Sequence, residues 1–145
     1  MVQLELPYGK DSLRFELPKE NLVLVAKPRA VPGVREVQGE VERALLNPIS
    51  CDKLSEMAKP GRKVTIVVDD VTRPTPAHLL LPSVVKELHR AGVKDDDISV
   101  VVGRGGHRKM TEQEVKEKVG QEEYERFSVE VHEPTDHREL NASLD

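Results

Sequence analysis

Three short segments hold most of the side chains able to do chemistry. The first, Asp69-Asp70-Val71-Thr72-Arg73, sets two carboxylates, a hydroxyl and a guanidinium within five residues. A guanidinium binds a phosphate or carboxylate through paired hydrogen bonds. Asp70 and Thr72 suit sugar hydroxyls or amide donors, and they suit equally the capping of a following helix. The second, Gly103-Arg104-Gly105-Gly106-His107-Arg108, brings glycines that allow close backbone approach up to a histidine. His107 has the residue type for general acid–base work near neutral pH. The glycine spacing is not G-x-G-x-x-G, so no dinucleotide fingerprint is present. The third contains His132, Asp136 and His137, which are metal-binding types. They lack the helical spacing of two histidines on one face and read more simply as solvated loop residues. Cys51 is the only cysteine, which excludes an intrachain disulfide or a cysteine metal cluster. With no histidine near it in sequence, it reads as a small buried or turn residue rather than a nucleophile.

The elements that position these segments follow from hydrophobic periodicity. Residues 64–68, 98–102 and 127–131 read as strands, and the unbroken apolar character of 64–68 predicts burial on both faces. Leu81, Val84, Val85 and Leu88 recur at helical spacing, with Gly92 ending the helix and Pro82 in its first turn or at a kink. His89 on this helix reads as a surface residue. Thr111-Glu112-Gln113-Glu114 has the form of a capping box opening a helix that runs to Gly120. The order is β-α-β-α-β, which implies a parallel sheet with right-handed connections. All three chemical segments then follow strands and open on the carboxyl edge of the sheet, where ligands of such folds bind. Upstream, Val2, Leu4 and Leu6 alternate, as do Leu13, Phe15 and Leu17, around a turn at Tyr8-Gly9-Lys10-Asp11, giving a β-hairpin. A short strand is expected over 22–26 and a helix along Val34, Val37, Val41, Ala44 and Leu45. A second short helix is expected at Leu54, Met57 and Ala58, with Ser50 as its cap. The expected fold class is therefore α/β: a Rossmann-like three-layer domain with a parallel β-α-β-α-β core behind an N-terminal β-hairpin, residues 1–145 forming one domain.

Composition narrows the partners. The chain has 145 residues, 37% hydrophobic and 3% aromatic, without tryptophan, so its core must be built from Val, Leu and Ile. Charged residues make up 33% with a net charge of -4, which gives no basic footprint for nucleic acid. No apolar run reaches the roughly 18 residues a membrane span needs. The N-terminus alternates like a strand instead of presenting a signal peptide. A cytoplasmic location is expected.

Two of the segments resemble those of a known family. Asp70-Val71-Thr72-Arg73-Pro74 resembles its D-x-T-R-P motif after a strand. Gly105-Gly106-His107-Arg108-Lys109-Met110-Thr111 resembles its G-T-H-R-x-M-T motif ahead of a helix. Leu6-Pro7-Tyr8-Gly9 and Ala44-Leu45-Leu46-Asn47-Pro48-Ile49 fit as well. The family is that of the nickel-pincer-nucleotide-dependent lactate racemases and their 2-hydroxyacid relatives. The resemblance implies inversion of a 2-hydroxy acid at C2, with a hydride passing to and from the nickel-pincer nucleotide (a nickel pyridinium bisthiocarboxylate mononucleotide). It implies proton exchange by two histidines, of which His107 would be one. It also implies that Asp70, Val71, Thr72 and Arg73 face the cofactor, with Arg73 on its phosphate. Gly106 stands where the family has Thr, and Lys109 where it has Pro. The family's second catalytic histidine, its cofactor-tethering lysine and its nickel-ligating histidine have no counterpart in these residues. The chain is therefore expected to be the N-terminal part of a larger racemase, inactive without a C-terminal domain and with no metal ligand of its own assigned. The alternative is a non-catalytic α/β module for small molecules or phosphates. A haloacid-dehalogenase type of phosphatase is excluded, since it needs D-x-D after the buried strand.

Overall fold

The computed structural model describes residues 1–134 except Lys10. The chain forms two compact units, Met1–Gly33 and Val34 onward. In the first, β1 (Val2–Tyr8) pairs antiparallel with β2 (Asp11–Leu17), from Val2 against Leu17 to Tyr8 against Asp11. The strand expected over 22–26 does not form. Val23 is 98% exposed, and no described strand pairs with this stretch. Its residues have strand propensity, but a strand needs a neighbour for its backbone groups, and propensity alone does not supply one.

The second unit begins with α1 (Val37–Leu46), capped by the Glu36 carboxylate, which accepts from the Gln38 N–H at 3.0 Å. A short α2 (Leu54–Met57) follows, with Lys53 rather than Ser50 at its N-cap. Ser50 lies too far upstream to cap it and has left-handed backbone, φ +58°. Cys51 is exposed, not buried.

The sheet consists of β3 (Val64–Asp69), β4 (Ile98–Gly103) and β5 (Ser128–Val131), all parallel and in that order. Between β3 and β4 runs α3 (Ala77–Arg90), and between β4 and β5 run α4 (Glu112–Val119) and α5 (Gln121–Arg126). This is the expected β-α-β-α-β order. Strands taken in order with right-handed connections place every connecting helix on one side of the sheet. Burial agrees: Val100 and Val102 are sealed beneath Leu81, Val85 and Leu88 of α3 and Val115 and Val119 of α4. The opposite face is open, with Thr65 exposed and Val67 70% exposed. The run 64–68 is thus buried on one face, not on both as its composition suggested, because both helical connections fall on the same side.

Helix α3 starts at Ala77, earlier than its apolar pattern indicates, and keeps Pro82 in its interior. It ends where Gly92 takes φ +82°. The Val93 N–H reaches back to Leu88 O at 3.1 Å and the Gly92 N–H to His89 O at 2.9 Å, a Schellman closure with Val93 and Leu88 both in the core. Thr111 and Glu114 form the expected capping box at α4: Thr111 Oγ1 accepts from the Glu114 N–H at 3.2 Å, and Glu114 Oε2 from the Thr111 N–H at 2.9 Å. Among the described residues no helix is long and apolar enough to cross a membrane.

Candidate active site

In β3 the core-facing positions are Val64, Ile66 and Val68, and the alternation carries one step past the strand to Asp70. Asp70 is 2% exposed. Its backbone turns immediately: the Arg73 N–H bonds to Asp70 O at 3.1 Å, and Asp70 Oδ1 accepts from the Thr72 N–H at 3.0 Å. This Asx turn explains why an acid that looks like a helix cap instead folds the loop over itself. The Thr72 hydroxyl donates to Asp70 Oδ1 at 2.6 Å, and Asp70 Oδ2 lies 2.6 Å from His107 Nδ1.

His107 comes from the loop after β4. That loop turns through Arg104–His107, with Gly105 at φ +57°, a conformation that L side chains rarely adopt. A Cβ at Gly105 would meet nothing within 4 Å, so the requirement is conformational rather than steric. The His107 side chain remains 43% exposed. Thr72 Oγ1 lies 3.2 Å from the same Nδ1.

The Thr72 hydroxyl bond is the main cause that holds the Asp70 carboxyl at about 2, against burial, which pushes it up; the His107 ring adds to the lowering. Asp70 is therefore ionised at neutral pH and only accepts hydrogen bonds. The ring proton of neutral His107 must sit on Nδ1. Nε2 is left as a lone pair, with no hydrogen bond to a described residue. Three residues on from Asp70 in the same loop, Arg73 is exposed and its guanidinium has no side-chain partner among the described residues. Arg73 fronts a shallow cavity of about 230 Å³ between its own loop, the start of α3 and α4, lined also by Pro76, His78 and Glu117.

Residues 8–142 match the family model described as the lactate racemase N-terminal domain. The chain belongs to that family. The lactate racemase of Thermoanaerobacterium thermosaccharolyticum is 32% identical over 148 residues, covering 99% of this chain and 34% of that protein. The lactate racemase of Lactiplantibacillus plantarum is 33% identical over 138 residues, covering 94% of this chain and 32% of that protein. The solved lactate racemase apoprotein of T. thermosaccharolyticum matches with a TM-score of 0.69 at 31% identity, over 91% of this chain and 30% of that one. The chain thus spans about a third of the length of these racemases.

Within this domain the structure brings Asp70, Thr72 and His107 together and leaves Val71 half-buried and Arg73 exposed in the same loop. His132 is half-buried; its backbone N–H continues the sheet by bonding Val102 O at 2.9 Å. Asp136 and His137 lie outside the described residues. His89 is partly exposed and bonds Asp95 Oδ1 at 2.7 Å.

Two buried cations escaped the sequence reading. Lys118 of α4 is 7% exposed. Its ammonium pairs with Asp69 Oδ1 at 2.6 Å and donates to Arg73 O at 3.0 Å and Thr75 O at 2.9 Å, pinning the first loop at three points. Arg104, 8% exposed, donates to the His107 carbonyl and to Glu133 Oε1, and so fixes the second loop. The signal was periodicity. Lys118 lies on the stripe Val115, Lys118, Val119, and Arg104 continues the alternation of Ile98, Val100 and Val102 into the core.

Proposed function

We propose that this chain carries one acid–base histidine and a cofactor-facing loop of a lactate or related 2-hydroxyacid racemase. The reading rests on the 2.6 Å contact between Asp70 and His107 at the carboxyl edge of the sheet, with the exposed Arg73 three residues further along the Asp70 loop. His107 Nε2 takes the proton of the substrate's 2-hydroxyl as the C2–H bond breaks, and returns it in the reverse direction. Asp70 keeps the ring in the required tautomer and stabilises the imidazolium. Arg73 holds the nucleotide phosphate through its fork of donors, with Val71 and Thr72 against the rest of the nucleotide. When bound, the nickel-pincer nucleotide supplies reversible acceptance of hydride from C2. An open guanidinium at a preorganised loop fits the organic part of that cofactor. Among the described residues no three His, Cys, Asp or Glu side chains gather as metal ligands. In this reading the nickel ligand, the lysine tether and the second acid–base histidine belong to a C-terminal domain of the same polypeptide, and residues 1–145 alone do not racemise.

The test uses the intact polypeptide loaded with cofactor and offered D- and L-lactate with a panel of other 2-hydroxy acids. His107→Ala should lower turnover by roughly 10²- to 10⁴-fold, the usual contribution of a positioned acid–base group. Arg73→Ala should weaken cofactor retention on gel filtration. Full racemisation by the His107→Ala protein would remove the assignment. Saturable nicotinate-nucleotide binding without turnover of any hydroxy acid would favour a non-catalytic phosphate-binding module.

A further inference from the structure

The sheet presents two unpartnered surfaces. On its open face the register aligns Thr65 with Ser99 and Ser128, and Val67 with Val101 and Glu130. Sheets made only of parallel strands occur almost always with both faces covered, yet Val67 is 70% exposed. The second surface is the free edge of β3, which pairs only with β4 among the described residues. Along that edge a cavity of about 340 Å³ opens between β3 and α3, lined by Ile66, Val67, Val68, Leu80 and Val84. Exposed edge strands are usually blunted by Lys, Pro or a bulge. Residues 64–68 (Val-Thr-Ile-Val-Val) carry no charge and no proline.

One addition closes both surfaces. From β3 to β5 the chain steps across the sheet in one direction, which puts all connecting helices on one side. A parallel strand added beyond β3 steps in the opposite direction, and the same right-handed rule then lays its connecting helix over the open face. We propose that the β3 edge and the Val67–Val101 face form the docking surface for the continuation of this same polypeptide, as a strand parallel to β3 with a helix across the open face. The relatives supply the length, since this chain covers only 34% and 32% of them. The proposal rests on the reading of the chain as the N-terminal part of a longer racemase. It adds where the missing half of the site arrives. Strand order reverses beside β3, and such reversals open a crevice at the carboxyl ends of the strands. Asp70–Arg73 forms one wall of that crevice, and the loop after the added strand forms the other.

The experiment compares the polypeptide translated from the intact reading frame with the 145-residue chain, each with and without Val67→Lys. In the short chain the substitution falls on an exposed side chain and should shift the melting temperature by less than about 2 °C. In the intact polypeptide it should lower it by about 5 °C or more. Amide exchange of residues 66–68 should be at least about tenfold slower in the intact polypeptide. Equal tolerance of Val67→Lys in both forms overturns the proposal, as does a reading frame that ends at Asp145. A short chain that dimerises until Val67→Lys is introduced gives the surface to a second copy and also overturns it. None of these readouts depends on turnover. Protection and Val67→Lys sensitivity without racemisation would refute the activity and keep the surface; racemisation with residues 66–68 unprotected would do the reverse.

Discussion

An Asp70→Asn substitution keeps the size of the side chain and removes its charge. Its amide can present N–H to His107 Nδ1, which would move the ring proton to Nε2 and leave the nitrogen proposed to take the substrate proton without a lone pair. If the intact polypeptide carries the proposed racemase activity, this should lower kcat by roughly 10²- to 10⁴-fold, as in other acid–histidine pairs, with little change in KM. Steady-state kinetics check it; a rise in KM with kcat intact would mean that Asp70 binds a ligand instead of orienting His107. The same residue shapes acid stability. Its carboxyl stands at about 2 in the fold against an ordinary value of 3.8. A depressed acid contributes stability that is fully present above its unfolded pKa and is lost as pH falls through the folded value. The Asp70 contribution should therefore fade between about pH 4 and pH 2. Glu114, also at about 2 through its Arg108 pair, fades over the same interval. Urea midpoints measured across that range should fall less steeply for Asp70→Asn than for the parent chain. Parallel curves would show that the Thr72 and His107 bonds do not discriminate between folded and unfolded carboxyl groups.

Helix α4 clamps the Asp69–Thr75 loop through Lys118, so that side chain tests how an element positions a loop. In Lys118→Met the Asp69 carboxylate and the carbonyls of Arg73 and Thr75 lose their shared donor. Removing one partner of a buried ion pair costs several kcal/mol; with Asp69 about a third exposed, the expected loss is about 2–3 kcal/mol in urea unfolding. A second change, Asp69→Asn, should recover part of that loss, and a strictly additive pair would show that the two groups are not coupled. The elements themselves were largely legible. Apolar runs marked the three strands, and Thr111 with Glu114 marked the start of α4. The start of α3 was not, because Pro82 reads as a first-turn signal. In the structure it sits within the helix, where the bond it forfeits would go to the carbonyl of His78, an exposed residue. The site was half legible. Residue types and strand ends flagged His107, Asp70 and Arg73. The Asp70–His107 bond spans 37 residues, and the Lys118 and Arg104 clamps join groups from different elements. No local pattern encodes such pairings; only the alternation that carries these charged residues onto core-facing positions betrays them.

At the scale of the whole chain, stability should be concentrated in one of the two units. Every residue of the hydrophobic core and those packed against it lies at or beyond Leu54. No described residue of Met1–Gly33 is buried, and an isolated two-stranded hairpin is marginal in water. Between β2 and α1, Val23, Leu24 and Val31 are 98%, 77% and 79% exposed, on backbone without regular structure. Exposed backbone of this kind is where nicking concentrates. Limited trypsin should therefore cut first at Arg29 or Arg35, since Lys27 is shielded by the proline that follows it. The fragment that begins there keeps β3, β4, β5 and the helices over them, and it should melt cooperatively within about 5 °C of the intact chain, a difference worth roughly 1 kcal/mol at this size. Mass spectrometry of the early digest and calorimetry of the fragment check both halves of the expectation. If the fragment loses its cooperative transition, the core beneath α3 and α4 does not stand alone, and the hairpin unit contributes stability that its exposed side chains do not reveal.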